Sequence, residues 1–303
     1  MDTKSLRLFV LASEMLNISA AGRALGMAPA VASTRIAKLE RLVGAELLHR
    51  STRKVSISLE GQDFLPYARE MIAQEEAALA ALGTGQARAR GTLRFAAPST
   101  FAQMYIAPIL PEFMDAHPDL SLDLHLSDAQ FDLIEGSYDL ALRNAVLADS
   151  SFTARKLADD TRILCASPAY LEQHGTPGQP ADLAAHCLIA FRNSEPKELV
   201  SQAGARHEFD PRRASHRLVL NDGMTQRRIT QGGAGISVNS IWLVHEDLAN
   251  GTLVRVLPDY EVAAKPALWL IYPKSNVVSV KVRVFMDFLI KHIGRRPPWD
   301  APD

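Results

Sequence analysis

The chain is poor in cysteine and has no long uninterrupted hydrophobic run. Its two cysteines, Cys165 and Cys187, each lie in an apolar, strand-like stretch (RILCAS and HCLIAF). Two cysteines so placed predict buried, reduced thiols rather than a disulfide or a zinc site. No stretch is long enough to form a membrane-spanning helix, and residues 1–11 lack the apolar core of a secretory signal. The sequence therefore predicts a cytoplasmic protein that does not enter a membrane.

The motifs of common enzymes and metal sites are also missing. The nine histidines form no HExxH or other close metal pair, and there is no Gly-x-Ser-x-Gly elbow or Walker sequence. The run GGAGIS, from Gly232 to Ser237, lacks the spacing of a dinucleotide-binding loop and predicts a tight turn instead. We therefore predict no catalytic residue, no metal and no cofactor.

Charge is divided unevenly along the chain. The net charge is −1, yet residues 1–58 contain nine Lys or Arg against four Asp or Glu, a local charge of +5 that leaves −6 for the remainder. A small basic segment on a mildly acidic body predicts that only the N-terminal part meets a polyanion. Ordinary surface charge is the alternative explanation, because an excess of this size is modest.

The stretch SAAGRALGMAPAVASTRIAKLE, which begins at Ser19, contains the pattern of two short helices joined by a turn. The apolar residues that share one face in each helix are Ala21, Ala24 and Leu25, then Ala32, Ile36 and Leu39. Between them, Gly26 can take the left-handed conformation that ends a helix. Pro29 suits the first turn of the next helix. The spacing predicts a helix-turn-helix.

A third helix is expected before this pair. Leu6, Phe9 and Val10 form an apolar stripe that would cover the small-residue faces of the other two helices. Ser19 is placed to cap the second helix, because its hydroxyl can accept a free backbone N–H. The first 40 residues thus predict a small three-helix domain.

The residues after the helix-turn-helix predict a two-stranded wing. Val55, Ile57 and Leu59 alternate with serines as in a half-buried strand, and Leu47-Leu48 are their expected partner. The loop between the strands offers three cations and two hydroxyls, the groups that proteins use to hold phosphate oxygens. These residues are Arg50, Ser51, Thr52, Arg53 and Lys54.

The order of these residues resembles the winged helix-turn-helix of the LysR-type transcriptional regulators. The matching positions are Ala20-Ala21, Leu25-Gly26, Ser33, Ile36, Leu39-Glu40, Val43-Gly44 and Arg50-Ser51-Thr52-Arg53. The resemblance implies sequence-specific binding to double-stranded DNA, a homodimer or homotetramer, and RNA polymerase as a further partner. The chain departs from the family pattern at Ala28, where the family usually has Ser or Thr before the recognition helix.

The recognition helix is expected to span about residues 29–40. The predicted DNA-binding residues are Ala30, Val31, Ser33, Thr34, Arg35 and Lys38 on this helix, with Arg50, Ser51, Thr52, Arg53 and Lys54 in the wing. Ala30 and Val31 suit contact with thymine methyl groups, while Thr34 and Arg35 can reach base edges. Lys38 lies nearer the helix end and is expected to meet phosphate. The alternative is that this face is only the solvated side of a structural helix.

The following segment, EGQDFLPYAREMIAQEEAALAAL, predicts one long amphipathic helix. Leu65, Ile72 and Leu79 fall seven residues apart, as in a coiled coil, and Glu75 interrupts the stripe. Such a stripe must be buried. The resemblance implies burial against the matching helix of a second subunit, and packing on its own chain is the alternative. The run GTGQARARG that follows predicts a flexible hinge.

After the hinge, strand-like and helical segments alternate, which predicts βαβ units, a mainly parallel sheet and an α/β fold. This part resembles the effector-binding body of the same family, a two-lobed fold like that of periplasmic binding proteins. The matching pieces include YDLALR, ASPAYLEQHGTP and GGAGIS. The predicted divisions are a winged helix-turn-helix domain at 1–59, a linker helix and hinge at 60–90, lobe one at 91–162 with 267–303, and lobe two at 163–266.

A cleft between the lobes is the expected effector site. In such folds, ligands bind beyond the carboxyl ends of the strands, where helix N-termini favour a negative group. The sequence therefore predicts a small organic anion as the effector, and an amine or an amino acid is the alternative, because Asp222 would place a carboxylate in the cleft. The predicted contacts are Ser99, Thr100, Phe101, Ser127, Arg143, Asn144, Phe152, Asp222 and Gly223. Helix capping is the structural alternative for Ser99, Thr100 and Asp222, and a surface ion pair is the alternative for Arg143.

Taken together, these features predict a LysR-type transcriptional regulator controlled by a small-molecule effector. A first alternative is a cytoplasmic small-molecule-binding protein whose N-terminal domain dimerises without binding DNA, and the basic wing argues against it. A second alternative is an enzyme that uses the cleft, and the missing catalytic motifs argue against that.

Overall fold

The computed structural model describes residues 1–50, 55–81, 89–128, 138–145, 152–192, 195–214, 217–263, 266–273 and 278–300. They group into two compact units. The first is Met1–Ala89 with Ser275–Arg283, and the second is Arg90–Lys274 with Val284–Asp303.

The first unit has the predicted winged helix-turn-helix, followed by a long helix. Its elements are α1 (Thr3–Met15), α2 (Ile18–Ala24), α3 (Pro29–Val43), β1 (Leu48–Arg50), β2 (Val55–Ile57) and α4 (Leu59–Ala81). Gly26, in the turn between α2 and α3, has a φ of +69°, and α3 begins at Pro29. Both observations confirm the turn chemistry predicted from the sequence.

Side-chain caps mark the starts of the first two helices but not of the third. Asp2 caps α1 and Asn17 caps α2, each by accepting a hydrogen bond of 2.9 Å from the backbone N–H three residues on. The prediction that Ser19 caps α2 is wrong, because the helix begins at Ile18 and Ser19 lies inside it. Ala28 is the N-cap of α3 and has extended backbone, but it carries no oxygen that could accept a hydrogen bond.

The core of this unit lies among the first three helices, the wing and the start of α4. Its buried residues are Leu6, Leu8, Phe9, Ala12, Ile18, Ala21, Ala32, Ile36, Leu39, Leu47, Leu48, Leu65 and Ala68. α2 and α3 approach most closely at Gly22, where a Cβ would lie 2.6 Å from the Cβ of Ala32. Glycine is therefore needed at this crossing for steric reasons.

The first half of α4 packs against its own chain. Leu65 and Ala68 are 7% and 0% exposed, and Ile72 packs against the edge of the same core. Glu75, which interrupts the heptad stripe, accepts a hydrogen bond of 3.2 Å from the guanidinium of Arg7 on α1. Leu65 and Ile72 therefore pack on their own chain, as in the alternative prediction. Leu79, the third residue of the stripe, is 52% exposed, and its burial against a second subunit stays a prediction.

The second unit contains three sheets. Its strands are β3 (Gly91–Ala97), β4 (Leu120–Leu126), β5 (Leu140–Ala145), β6 (Phe152–Asp159), β7 (Arg162–Ala166), β8 (Leu188–Phe191), β9 (Lys197–Ser201), β10 (Arg206–Phe209), β11 (Arg217–Leu220), β12 (Ile236–Ser240), β13 (Val254–Val256), β14 (Tyr260–Val262) and β15 (Ala267–Pro273). The two five-stranded sheets have the orders β4-β3-β5-β15-β6 and β11-β8-β12-β7-β13. A small sheet, β10-β9-β14, completes the unit.

Each five-stranded sheet combines parallel and antiparallel pairs. In the first, β3 is parallel to β4 and β5, while β15 is antiparallel to β5 and β6. In the second, β8 is parallel to β11 and β12, while β7 is antiparallel to β12 and β13. Each five-stranded sheet forms one lobe, and the predicted two-lobed α/β fold is confirmed. The prediction of a mainly parallel sheet is wrong, because half of the strand pairs in each of these sheets are antiparallel.

Helices cover these sheets. They are α5 (Ser99–Phe101), α6 (Leu110–Ala116), α7 (Pro168–His174), α8 (Gly223–Gln231), α9 (Ile241–Ala249) and α10 (Val280–Leu289). The chain between α5 and α6 continues as a π turn and a 3₁₀ turn. Cys165 is buried in β7, and both cysteines carry free thiols. The prediction that Cys187 is buried is wrong, because its side chain is half-buried.

Candidate nucleic-acid interface and interlobe cleft

One face of α3 is buried and the other faces outward. Ala32, Ile36 and Leu39 are at most 2% exposed and belong to the domain core. The predicted DNA contacts lie on the rest of the helix surface: Ala30, Val31, Thr34 and Lys38 are exposed, while Ser33 and Arg35 are half-buried. The fold thus presents these six residues together on the recognition helix.

Two of these side chains already have partners within the domain. The Thr34 hydroxyl donates a hydrogen bond of 3.0 Å to the carbonyl of Ala30, one turn earlier. The Arg35 guanidinium donates to the carboxylate of Asp2 at 3.0 Å. Partial burial acts to raise the pKa of Asp2, but the hydrogen bonds from Ser5 and the charge of Arg35 outweigh it and lower that pKa. Arg35 therefore has a defined orientation before any DNA arrives.

The wing is fixed to the recognition helix by a side chain that the sequence analysis assigned no role. A carboxylate oxygen of Glu40, on α3, accepts hydrogen bonds from the N–H groups of Leu47 and Leu48, at 3.1 and 3.2 Å. β1 and β2 then pair in antiparallel fashion, with Arg50 opposite Val55. The predicted loop contacts Ser51, Thr52, Arg53 and Lys54 lie outside the described residues, as does the side chain of Arg50.

In the second unit, the predicted effector residues follow strand ends in both lobes. β3, β4 and β5 end at Ala97, Leu126 and Ala145, on one edge of the first sheet. Ser99 and Thr100 follow β3, and Ser127 follows β4, with its N–H bonded to the Ala97 carbonyl at 3.0 Å. In the second lobe, Asp222 and Gly223 follow β11 and open α8.

These loops meet at the carboxylate of Asp128, a residue that the sequence analysis did not single out. Asp128 accepts hydrogen bonds from the Thr100 N–H at 3.3 Å and from the Thr100 hydroxyl at 2.8 Å. It also accepts from the N–H of Gly223 at 3.0 Å, across to the second lobe. One carboxylate therefore joins the loops of both lobes.

The first four N–H groups of α8 all have partners inside the chain. Gly223 donates to Asp128, and Met224 donates to the Thr100 hydroxyl at 3.2 Å. Thr225 donates to the Asp222 carboxylate at 2.7 Å, and the next N–H bonds to the Asp222 carbonyl. The capping alternative for Asp222 is thus confirmed. The first four N–H groups of a helix have no partner within the helix itself and bind caps, water or ligands. In α8 they all bind groups of the chain.

The anion prediction assumed that these N–H groups are free, and that premise is wrong for Thr100 and Gly223. Burial acts to raise the pKa of Asp128, but the hydrogen bonds from Gly223 and Thr100 outweigh it and lower that pKa. The group that they surround is therefore an ionised carboxylate of the chain itself. Whether the effector is an organic anion stays a prediction.

Two predicted aromatic contacts lie elsewhere. Phe101 is 0% exposed and packs edge-on against Trp242 and Trp299, with ring centroids 5.1 and 5.9 Å apart, so its ring has no surface for a ligand. Phe152 begins β6 opposite Pro273, at the end of the sheet away from the cleft. Through the paired strands it lies about three residues, or about 10 Å along the strand direction, from the level of Ala97, where the edge that bears Ser99 and Ser127 begins. Both are corrections to the predicted effector site.

Asn144 belongs to the crossover between the lobes. Its side-chain amide donates a hydrogen bond of 2.7 Å to the carboxylate of Asp160, a residue only 3% exposed. Asp160 also accepts from Arg162 at 3.1 Å, and its N–H bonds to the carbonyl of Pro266 in the second crossing segment. Arg143, one residue earlier on β5, is half-buried and lies opposite Trp269 in the sheet register.

The described residues offer neither a metal site nor a membrane span. No three histidine, cysteine or acidic side chains among them are grouped as metal ligands would be. Within the same residues, every helix is too short or too polar to span a membrane.

Family comparisons match both units. The family described as "Bacterial regulatory helix-turn-helix protein, lysR family" matches residues 3–62, and the one described as "LysR substrate binding domain" matches residues 86–294. Among curated proteins, the HTH-type transcriptional regulator DmlR of Escherichia coli (strain K12) is 32% identical over 296 residues, which is 97% of this chain and 95% of that protein. The regulator CrgA of Neisseria meningitidis serogroup C is 30% identical, with 97% of both chains covered.

Solved structures of full-length regulators have the same fold. The structure of CrgA from Neisseria meningitidis, a LysR-type transcriptional regulator, matches with a TM-score of 0.61 and 28% identity, over 97% of this chain and 100% of that one. The full-length structure of AphB, the Vibrio cholerae virulence activator, matches with a TM-score of 0.59 and 27% identity, over 97% of this chain and 100% of that one. The likeness therefore extends over both units of the chain.

Proposed function

The chain belongs to the LysR family of transcriptional regulators, and from this we propose that it reads an operator in double-stranded DNA through α3 and the wing. The observation that carries the proposal is the division of α3, whose apolar face is buried while the residues suited to DNA contact lie outside. The family is regulatory, and we propose no catalytic activity for this chain. As a DNA-binding regulator it acts in the cytoplasm, where bacterial DNA lies.

Each outward residue has a role suited to its chemistry. Ala30 and Val31 meet thymine methyl groups in the major groove, and Arg35 reads a base edge with the donors that Asp2 leaves free. Lys38 and the wing cations hold phosphates and position the domain. Ser33 and Thr34 contribute hydroxyls at the same surface.

The second unit is the effector-binding domain, and we propose that its effector binds between the lobes. Support comes from the loops after β3, β4 and β11, which bring polar groups of both sheets together. We propose the division into residues 1–59, 60–90 and 91–303, with lobe one at 91–162 and 267–303 and lobe two at 163–266. An effector acts by binding one arrangement of the lobes more tightly than another.

We also propose that the chain works as a homodimer, which two dimers can extend to a tetramer. Because Leu65 and Ile72 are used within the domain, the dimer contact belongs to the outer face of α4, where Tyr67 is 64% exposed. An exposed aromatic ring on a long helix is a common feature of subunit contacts. RNA polymerase remains a proposed partner that rests on the family resemblance alone.

Footprinting of the promoter region beside its own gene tests the DNA proposal. We expect the full chain to protect two half-sites whose centres lie about one helical turn, 10–10.5 base pairs, or a multiple of that apart. Lys38→Ala should weaken this protection, whereas Lys291→Ala, at an exposed lysine of the second unit, should not. Protection that is equal on scrambled DNA, or none at all, would instead support the small-molecule-binding alternative.

A further inference from the structure

We propose that Asp128 is a specificity-determining residue of the interlobe cleft. Its carboxylate takes the donors of both lobes at which an anionic effector group would otherwise bind, and so keeps small carboxylates out of that position. The inference rests on the proposed effector role of the cleft. It concerns which chemical group the cleft accepts, and it can be tested without knowing the effector.

The donor set around Asp128 is what a bound carboxylate requires. Two backbone N–H groups, from Thr100 and Gly223, and one hydroxyl, from Thr100, donate to its oxygens. Charge-assisted hydrogen bonds of this kind are stronger than neutral ones. The Asp128 carboxylate thus satisfies groups from two different sheets, as an external anion would have to.

The donors around this carboxylate are already used by it. A Cβ on Gly223 would lie 3.0 Å from the Thr100 hydroxyl oxygen, which is tighter than an ordinary contact. Thr100 is only 2% exposed, and the Met224 N–H also bonds to its hydroxyl. A ligand carboxylate can therefore reach these donors only by displacing Asp128, and it would then meet the displaced negative charge nearby.

Asp222 and Asp128 both accept hydrogen bonds from N–H groups in the first turn of α8, but they differ in the lobes that they join. Asp222 bonds to Thr225 within its own helix, so removing it exposes one N–H of a single lobe. Removing Asp128 exposes donors of both lobes at one point. Asp222→Ala is consequently the matched control for Asp128→Ala.

Acetate is a suitable probe, because it has the size and the carboxylate of an aspartate side chain and is not attached to the polypeptide backbone. The full-length wild type, Asp128→Ala and Asp222→Ala proteins are heated in sodium acetate and in sodium chloride of equal ionic strength at neutral pH. We expect Asp128→Ala to melt lower than wild type in chloride and to recover in acetate with a saturable dose dependence. Wild type and Asp222→Ala should melt equally in the two salts.

Asp128→Asn keeps the shape of the side chain and supplies a second test if the alanine variant does not fold. It lacks the charge yet fills the position, so it should melt lower than wild type and show no acetate recovery. An equal response of wild type and Asp128→Ala to acetate would overturn the proposal. So would an Asp128→Ala protein that folds and does not respond to acetate, since Asp128 would then be only a structural contact. DNA binding by the wild type is measured in the separate footprinting experiment. A failure of the proposed DNA binding can therefore be told apart from a failure of the proposed role of Asp128.

Discussion

At the scale of single residues, the chain shows how one side chain decides a local structure. Gly22 permits the close crossing of α2 and α3, Glu40 holds the wing to α3, and Asp128 joins the two lobes. Each acts through a contact that forms only in the folded chain. Their roles are therefore visible in the structure and not in the spacing of the sequence.

Ala28 gives the first prediction at this scale. It occupies the N-cap position of α3 with the extended backbone that a cap requires, but it has no oxygen to accept an N–H. Ala28→Ser should therefore stabilise the domain by about 0.5–2 kcal/mol, measured as a higher urea midpoint with unchanged slope. Ala30→Ser, inside the same helix, is the control and should bring no such gain. A midpoint that stays the same or falls in Ala28→Ser would contradict this cap assignment.

The ionisation of Asp128 gives a second prediction, on pH. The folded state lowers the pKa of this carboxyl below an unfolded value of about 3.9. A lowered pKa contributes stability that is fully present above the unfolded value and is lost as the pH falls through the folded value. Wild type should thus exceed Asp128→Asn in unfolding free energy at pH 6, and the difference should shrink below about pH 4. A difference that grows on acidification would contradict the account.

At the scale of the elements, local signals predicted the helix-turn-helix well. A helix-ending glycine, a helix-starting proline and two apolar faces fix α2 and α3 within a few residues, because these signals act on the backbone directly. The cap of α2 was missed by two residues, since Asn17 and Ser19 both suit the position. The alternating strands and helices likewise predicted the α/β fold, and the family resemblance predicted its division into two lobes.

The long helix α4 shows where sequence reasoning ends. Leu65 and Ile72 are spaced as in a coiled coil, but helical spacing is the same whether the partner is a second subunit or the chain itself. Only the folded domain shows that they join its own core. The contacts in the cleft could not be predicted from the sequence for a similar reason. Thr100 and Gly223 lie far apart in the sequence and are brought together only by the packing of the two lobes.

Opposite faces of α4 should therefore respond differently to truncation. Leu65→Ala removes a buried side chain, 7% exposed, and should lower the unfolding free energy by about 2–5 kcal/mol in urea denaturation. Tyr67→Ala removes a ring that is 64% exposed and should instead raise the dimer dissociation constant in sedimentation. Each variant is the control for the other. A dimer that Tyr67→Ala leaves intact would place the subunit contact elsewhere.

At the scale of the whole molecule, charge and function are divided along the chain. Residues 1–58 carry a net charge of +5 in a protein whose total is −1, and the outward face of α3 lies within this basic segment. Residues 59–303 carry the compensating acidic charge, part of which is turned inward at Asp128 and Asp160. DNA affinity should accordingly depend on a few cations of the first unit.

The salt dependence of DNA binding tests this central claim most directly. Binding of the full chain to its protected promoter fragment is measured by fluorescence anisotropy from about 50 to 200 mM salt, a range in which phosphate contacts dominate the change in affinity. Lys38→Ala and Arg53→Ala should each make the slope of log K against log salt shallower by about one unit for each phosphate that a subunit no longer neutralises. Lys291→Ala, in the second unit, should leave the slope unchanged. An unchanged slope in both DNA-facing variants would contradict the assignment of α3 and the wing as the DNA-binding surface.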